Sequence, residues 1–519
     1  MKSNQSVFIL GFHLLFLLVL LLWSMHAPIG DWGNYYYGSK AYLRGSGIDI
    51  YDPTHFNAYV ASCGEQHFFL SYTQVPPLSL LIYIPFSLLK AGTAKLLFSV
   101  LTYLICVFSI TRLFRKRQLD LRWSLLLPLL FFLPFKSNID LGQSYFLLIA
   151  MLVEGWMARE NGKWILSAIL FALSIHLKLF PAIILIWFLM EKDWKMFGAT
   201  ICAVGLFFVI SLMFVNWEIW KFYFVEILPR MAKGEITNTY STSYQSMQVL
   251  LKQLFVPDAL QNKNYVLDEP FFYEKGNRLW LGIVLVIATL FSYDKKRNSF
   301  FRFSIWIFAG LLISGYGSSY GLLQLVFLTI AIISSSRTST ARKIILLILI
   351  GIVANIPVQW FLNYQAPFSF PRLFFILILL GTIIYFFRPE WNRVAMILSV
   401  IILISLFTIN NLRVDENNYL LKEEPSLLIT DFAVEGNTIK YNFRNQDGMN
   451  TASIVYHDSI SDFRVLKYDP HCIHFDGGDI EFPGERIARA FLINGNTLLY
   501  LSDKNRGVGF YTIREMRIR

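Results

Sequence analysis

The chain reads VFILGFHLLFLLVLLLWSM from Val7 to Met25 and then, from Asp31 to Pro53, DWGNYYYGSKAYLRGSGIDIYDP. The first stretch is a largely apolar run of the length a helix needs to cross about 30 Å of hydrocarbon. The second opens with a carboxylate where the bilayer would end. An ionisable side chain is costly there, so Asp31 is a functional-site candidate by default. A cleaved signal peptide would have a shorter apolar core followed by a small-x-small site, so the first run is expected to persist as an anchor.

The pattern repeats along the 519 residues, of which 55% are hydrophobic, 17% aromatic and only 16% charged. Such a chain cannot cover itself with a polar surface, and it reads as an all-α polytopic membrane protein. A β-barrel is excluded because the segments are continuously apolar rather than alternating. Spans are expected near 7–26, 93–114, 121–137, 143–159, 164–176, 178–190, 196–214, 278–293, 300–316, 320–335, 343–361, 371–388 and 393–410, about 12–13 transmembrane helices. The pair 164–176 and 178–190 is short for two crossings and reads as a hairpin of stubby helices.

The net charge of +11 is concentrated in short breaks between these runs. The breaks hold Arg112, Arg115, Lys116, Arg117 and Arg122; Arg159 and Lys163; Lys192 and Lys195; Lys295, Lys296, Arg297 and Arg302; Arg337, Arg342 and Lys343; and Arg388 and Arg393. They read as cytoplasmic loops, which puts the N-terminus inside and the C-terminus outside. This requires that VPPLSLLIYIPFSLLK (Val75 to Lys90) does not cross, and its three prolines and modest length suit a re-entrant or surface-lying helix. No recognition motif accompanies the basic residues, so nucleic acid is not an expected partner.

Two outer loops follow, near 27–74 and 215–277, the latter carrying the amphipathic YQSMQVLLKQLF (Tyr244 to Phe255). Beyond Asn410 the composition changes. TIKYNFR, ASIVYH, RAFLIN and TLLYL, separated by EGN, QDG, DGGD and NGN, read as hairpins of a small β-rich extracytoplasmic domain. The expected domains are therefore 1–410 and 411–519. Cys63 and Cys472 both fall outside in this topology, and the sequence leaves open whether they pair. His471, Cys472 and His474 show no recognisable ligand set, and no phosphate-binding loop or dinucleotide fingerprint appears.

Asp31, beside aromatic residues and a nearby lysine, suits proton abstraction from a hydroxyl nucleophile; equally, it could simply cap the helix that follows. Tyr35, Tyr36 and Tyr37 read as interfacial belt residues or as a sugar platform. Lys178, in SIHLKLFP (Ser174 to Pro181), is a cation between apolar runs, where it must meet an anion such as a lipid-linked phosphate or snorkel to the headgroups. His176 is a turn or packing residue, or a neighbour of the same ligand.

These residues carry a resemblance. The Asp31 to Pro53 stretch resembles the first outer loop of GT-C integral-membrane glycosyltransferases, in particular glycosyltransferase family 87, the polyprenyl-phosphate-mannose-dependent mannosyltransferases. Val75 to Leu89 is similar to the family's Tyr-Pro-Pro segment, with Val75 in the tyrosine's place; LGQSYFLLIAML (Leu141 to Leu152) to its Gly-Gln segment; Leu173 to Lys195 to its Lys-Pro segment; and Tyr244 to Phe255 to its Asn-Gln-Ser segment. The resemblance covers roughly residues 7–335.

It implies inverting transfer from a polyprenyl-phosphate sugar to a lipid or glycan hydroxyl at the outer face of a bacterial inner membrane. By position, Asp31 would be the general base, Lys178 a donor-phosphate contact and Gln143 a donor-pocket residue, with His176 beside them. Gln245 and Ser246 would line the acceptor side, with Tyr35. In SGYGSSYGLLQL (Ser314 to Leu325), Gly315 and Tyr320 replace the family's proline and histidine; Tyr316 and Tyr320 could still bind phosphate or sugar. No cofactor is implied, and one phosphate neutralised by a lysine demands no metal. The domain beyond 410 could hold an acceptor glycan or a cell-envelope protein partner. The rival readings are a polymerase or ligase using a diphosphate-linked donor, a transporter or flippase of lipid-linked sugars, and a non-catalytic scaffold.

Overall fold

The computed structural model describes residues 2–24, 27–65, 70–72, 75–232, 234, 240–258, 262–294, 298–336, 338–389, 396–397, 400, 428–445, 448–475, 478–504 and 508–518. Most of the expected span 393–410, the boundary at 410/411, and Lys295, Lys296, Arg297, Arg337 and Arg393 lie outside the described residues.

The molecule is mostly helical, with a smaller C-terminal β region. The apolar anchor is α1 (Lys2–Ser24), followed by α2 (Trp32–Leu43), α3 (Pro53–Ser62), α4 (Ser79–Ser87) and α5 (Ala91–Lys116). At about 1.5 Å per residue the nine residues of α4 are about 13 Å long, well short of a hydrocarbon core by themselves. The helix packs against α2: Ser39 Oγ donates to the Leu80 carbonyl, and the Tyr35 and Tyr83 rings stack with centroids 4.5 Å apart. Val75 to Lys90 thus folds as a short helix packed on α2, in keeping with its prolines.

Next come α6 (Leu126–Leu130), α7 (Phe132–Asp140), α8 (Tyr145–Glu160), α9 (Trp164–Leu177), α10 (Ile183–Glu191) and α11 (Trp194–Ser211). The short α12 (Trp217–Phe222), α13 (Leu228–Ala232) and α14 (Met247–Phe255) build the long loop. The bundle closes with α15 (Pro270–Tyr293), α16 (Ser299–Ile313), α17 (Leu325–Ile333), α18 (Thr340–Asn355) and α19 (Pro371–Phe387). Among the described residues four helices, α1, α5, α11 and α15, are individually long and apolar enough to span, and α7 with α8, bent by 118° at the Leu141–Ser144 break, brings the number to five. The other apolar segments are shorter. Apolar side chains such as Phe108, Leu129, Leu206 and Phe374 stand exposed on the outside of the bundle, as a lipid-facing wall requires. The protein is thus a multi-pass membrane protein.

Basic residues of several described breaks gather at one end. Arg112 pairs with Glu154 at 2.8 Å, Arg159 with Asp193 at 2.7 Å and Arg302 with Glu191 at 2.6 Å, while Arg117 donates to Ser334 Oγ at 3.2 Å. These contacts tie the C-terminal ends of α5, α8, α10 and α17 to the N-terminal ends of α11 and α16. Asp31, Gln143 and Lys178 sit at the opposite ends of the helices they adjoin.

The β region holds β1 (Leu428–Glu435), β2 (Thr438–Asn445), β3 (Gly448–Val455), β4 (Phe463–Val465), β5 (Lys467–Asp469), β6 (Cys472–Phe475), β7 (Gly478–Glu481), β8 (Ile487–Ile493), β9 (Thr497–Ser502) and β10 (Thr512–Arg517). They form antiparallel sheets ordered β1-β2-β3, β10-β9-β8-β4 and β5-β6-β7. Asn494 and Gly495, both at positive φ, turn β8 into β9, as an Asn-Gly hairpin favours. The four-stranded sheet is the middle layer. Phe491, Leu499, Leu501 and Ile513 face Phe432 and Tyr441, whereas Ala490, Leu498 and Tyr500 face Ile473 and Phe482. This explains why TLLYL is continuously apolar: β9 is covered on both faces.

Candidate functional site

Asp31 occupies the N-cap position of α2, but its side chain makes no capping hydrogen bond. Instead its Oδ2 accepts from Gln143 Nε2 at 2.6 Å. Gln143 Oε1 in turn accepts from the Tyr35 hydroxyl at 2.8 Å, and the Tyr35 oxygen accepts from Lys178 Nζ at 2.9 Å. Three hydrogen bonds thus join a carboxylate to an ammonium through residues drawn from α2, the α7–α8 break and the break after α9. The ammonium also lies 5.4 Å from the Tyr35 ring centroid and 5.6 Å from that of Tyr145, within cation–π range.

The local chain explains the arrangement. Trp32 N–H donates to the Leu141 carbonyl at 2.7 Å, which brings the start of α2 against the α7–α8 break. At that break Gly142 has φ +63°, and a Cβ there would lie 2.6 Å from Trp32 Cβ, so only glycine lets the two segments close on each other. Trp32 is fully buried and packs on Phe98, centroids 5.0 Å apart. Lys178 has an extended backbone between α9 and the 3₁₀ turn Phe180–Ala182. Pro181 favours the start of a new turn over continuation of the old helix. Ser79 Oγ, donating to the His176 carbonyl at 2.8 Å, holds this break against α4.

Protein surrounds Asp31 while part of its surface stays open to solvent, as at the floor of a cleft. Burial raises its pKa above the ordinary 3.8, against smaller lowering effects from the Gln143 hydrogen bond, the Lys178 charge, the Tyr320 hydroxyl and the Lys95 charge. A carboxylate raised in this way is a stronger proton acceptor than a solvated one.

The other residues singled out in the sequence divide. Tyr320 belongs with the cluster: its ring lies 5.3 Å from that of Tyr145 and its hydroxyl acts on Asp31. Tyr316 packs edge-on against Tyr244, centroids 5.5 Å apart. His176 is turned away; its Nε2 bonds the Val204 carbonyl at 3.0 Å and its ring packs against Trp220 and Phe207. Gln245 is taken up by structure, donating to the Thr242 and Ser369 carbonyls and accepting from Arg372 N–H. Ser246 caps α14 and donates to the Gly315 carbonyl at 2.8 Å. Sequence reasoning missed Tyr145 and Lys95, which packing brings beside Asp31, and Tyr83, which stacks on Tyr35. Cys63 and Cys472 are free thiols, so the pairing left open by the sequence is not formed.

The β region docks on the loops at this same end. Arg230 makes a bidentate pair with Asp503, both bonds 2.6 Å, and the two side chains are 6% and 0% exposed. Arg486 bonds Asp52 at 3.0 Å, and His471 Nε2 meets Glu226 at 2.7 Å. A cleft of about 680 Å³ remains between the two parts, walled by Asp52, His55, Asp431, Tyr468, Arg489 and Tyr511 among others.

A multi-pass membrane protein with a carboxylate–lysine cluster at one end of its bundle is the class these features define. Residues 72–315, a little under half of the chain, match the model of glycosyltransferase family 87. The chain is 24% identical over 245 residues to the polyprenol-phosphate-mannose-dependent alpha-(1-2)-phosphatidylinositol pentamannoside mannosyltransferase of Mycolicibacterium smegmatis, covering 44% of this chain and 55% of that protein. It is 27% identical over 224 residues to the polyprenol-phosphate-mannose-dependent alpha-(1-2)-phosphatidylinositol mannoside mannosyltransferase of Mycobacterium tuberculosis, covering 38% of this chain and 48% of that protein. The chain thus spans about half the length of the curated relatives it matches. Together these likenesses relate a little under half of the chain to glycosyltransferase family 87. The family match contains Gln143 and Lys178 but begins after Asp31 and Tyr35 and ends before Tyr316 and Tyr320.

Proposed function

We propose that the protein transfers a hexose or pentose, mannose-like by preference, from a polyprenyl-phosphate donor to a lipid or glycan hydroxyl, with inversion. The observation that carries this reading is the hydrogen-bonded line Asp31–Gln143–Tyr35–Lys178. Asp31 is the base that takes the acceptor proton, and the raised pKa suits that task. Lys178, with one of its three N–H donors used by Tyr35, offers the rest to the phosphate that leaves. Gln143 and Tyr35 hold the two charges apart at fixed positions, so that attack and departure occur on opposite faces of the anomeric carbon. Tyr320 adds a hydroxyl to the donor side. The family's donor chemistry and the names of the mycobacterial relatives support the same donor class for this chain.

The shorter helices complete a bundle of about 12–13 crossings around this end. The basic cluster at the other end supports a cytoplasmic N-terminus, an outward-facing site and an extracytoplasmic β region, in a bacterial inner membrane. Residues 1–410 then form the transferase domain and 411–519 a separate outer domain, which covers the acceptor approach or receives a cell-envelope protein partner. Transfer needs no metal in this scheme, because Lys178 supplies the positive charge.

The test is transfer by the purified protein in liposomes from radiolabelled polyprenyl-phosphate sugars into membrane lipid and glycan extracts. Incorporation from a monophosphate donor is expected. No incorporation from any monophosphate donor, with incorporation from a polyprenyl-diphosphate sugar, would overturn the reading in favour of a polymerase or ligase.

A further inference from the structure

The three-stranded sheet at the edge of the β region presents a group of side chains that the transfer reaction does not use. In its register Asp469 stands opposite Cys472, Cys472 opposite Glu481, and His474 opposite Asp479. Alternate residues of a strand share a face. Cys472, His474, Asp469, Asp479 and Glu481 therefore lie on one side, while Ile473 is buried on the other.

The geometry is compact. Cys472 Sγ is 3.8 Å from His474 Nδ1, and His474 Nδ1 is 2.9 Å from Asp479 Oδ1; ligand atoms of these three residues all lie within 4.8 Å of one another. A tetrahedral zinc ion with bonds of about 2.3 Å to sulfur and 2.0–2.2 Å to nitrogen or oxygen separates its ligand atoms by roughly 3.3–3.6 Å. The 2.9 and 3.8 Å separations bracket that range, and the Cys472 Sγ to Asp479 carboxylate separation lies within 4.8 Å, so side-chain rotation would bring the three onto one ion. His474 Nε2 faces Asp469 Oδ2 at 3.1 Å. With an ion bound, that outer carboxylate would hold the proton on Nε2 while Nδ1 exchanges its hydrogen bond to Asp479 for the metal, a recurrent support for metal-bound histidine.

The structure assigns to this face a zinc-binding site formed by Cys472 Sγ, His474 Nδ1 and the Asp479 carboxylate, with Asp469 as its outer-shell support. Glu481, the cross-strand partner of Cys472, stands where it can supply a fourth oxygen. One thiolate, one imidazole and one carboxylate select zinc over magnesium or calcium, which prefer all-oxygen sets. Binding displaces the thiol proton of Cys472 and any proton on Nδ1. The ion would pin β6 to β7, and it takes no part in sugar transfer.

The experiment uses the full-length protein without a histidine tag, stripped by chelator and titrated with Zn²⁺ against a chromophoric competitor and separately with Co²⁺. One zinc per chain is expected, together with a thiolate-to-cobalt charge-transfer band. Cys472→Ser should abolish the band, and Asp469→Asn should weaken zinc binding by about 10–100-fold while keeping it. Hydrogen-exchange protection of β8–β10 checks that each variant is folded; Asp479→Asn replaces any variant that is not. No thiolate band in the wild type, or zinc stoichiometry unchanged in folded Cys472→Ser, would overturn the assignment.

Discussion

Replacing Gln143 with leucine would remove the bridge between Asp31 and Tyr35 while keeping most of the buried volume. Gln143 is 4% exposed, so water cannot readily replace its amide. A hydrogen bond to a charged acceptor is worth about 1.5–3 kcal/mol. If that stabilisation is realised in the transition state, kcat/KM should fall about 10–150-fold, at roughly 1.4 kcal/mol per tenfold. The pH profile gives a second readout. The Gln143 bond holds the Asp31 pKa down against burial; without it the pKa rises further. A base works only above its pKa, so activity in Gln143→Leu should fail at a higher pH than in the wild type as the medium is acidified. Gln143→Glu should shift the acid limb upward too, because two carboxyls so close share a proton. The assay is donor-saturated transfer measured across pH, with intact folding checked by thermal unfolding. An unchanged rate and acid limb in a folded Gln143→Leu protein would refute the linkage.

Gly142→Ala should lower thermal stability by more than about 1 kcal/mol, since alanine must adopt φ +63° and meet Trp32; an unchanged unfolding temperature would show that the close approach is not needed. Asp503→Asn leaves the buried Arg230 with a neutral partner, at a cost of about 3–5 kcal/mol, and hydrogen exchange should rise around 484–503; unaltered protection would contradict the clamp. The His471–Glu226 contact should be pH-sensitive. Its Glu226 hydrogen bond raises the His471 pKa above 6.5, a contribution present below 6.5 and lost as pH rises through the folded value. Although burial works against it, His471 also lowers the Glu226 pKa below 4.5, a contribution lost as pH falls through that folded value. Docking should therefore be tightest between these ordinary values, and a flat exchange profile from pH 5 to 9 would refute it. Chelator should leave transfer unchanged in Cys472→Ser, where the hairpin site cannot contribute; activity lost there and restored by a divalent ion would place a metal in the reaction.

Much of the bundle was legible because local chemistry dictates it. The prolines and length of Val75 to Lys90 foretold a short helix, and the amphipathic stretch ending at Phe255 foretold α14. Clustered basic breaks anticipated the ion-paired end. Asp31 stood out by its cost at a bilayer edge, yet whether it caps α2 or faces a site was open until its side chain was seen bonded to Gln143 rather than to α2. The link from Tyr35 to Lys178 joins positions more than a hundred residues apart, and no local pattern encodes it. His176, Gln245 and Ser246 sit in suggestive motifs, but their hydrogen bonds are consumed by backbone groups. The zinc-ligand face was hidden because Asp479 comes from the neighbouring strand, and only the pairing register brings it to His474.

The most direct test of the central claim compares wild-type protein with Asp31→Asn in transfer from a polyprenyl-phosphate sugar. The amide keeps the shape and a hydrogen bond to Gln143 but cannot take a proton. The account predicts that donor binding survives while transfer falls by about 10²–10⁴-fold, the contribution expected of a general base. Full transfer by a folded Asp31→Asn protein would contradict it.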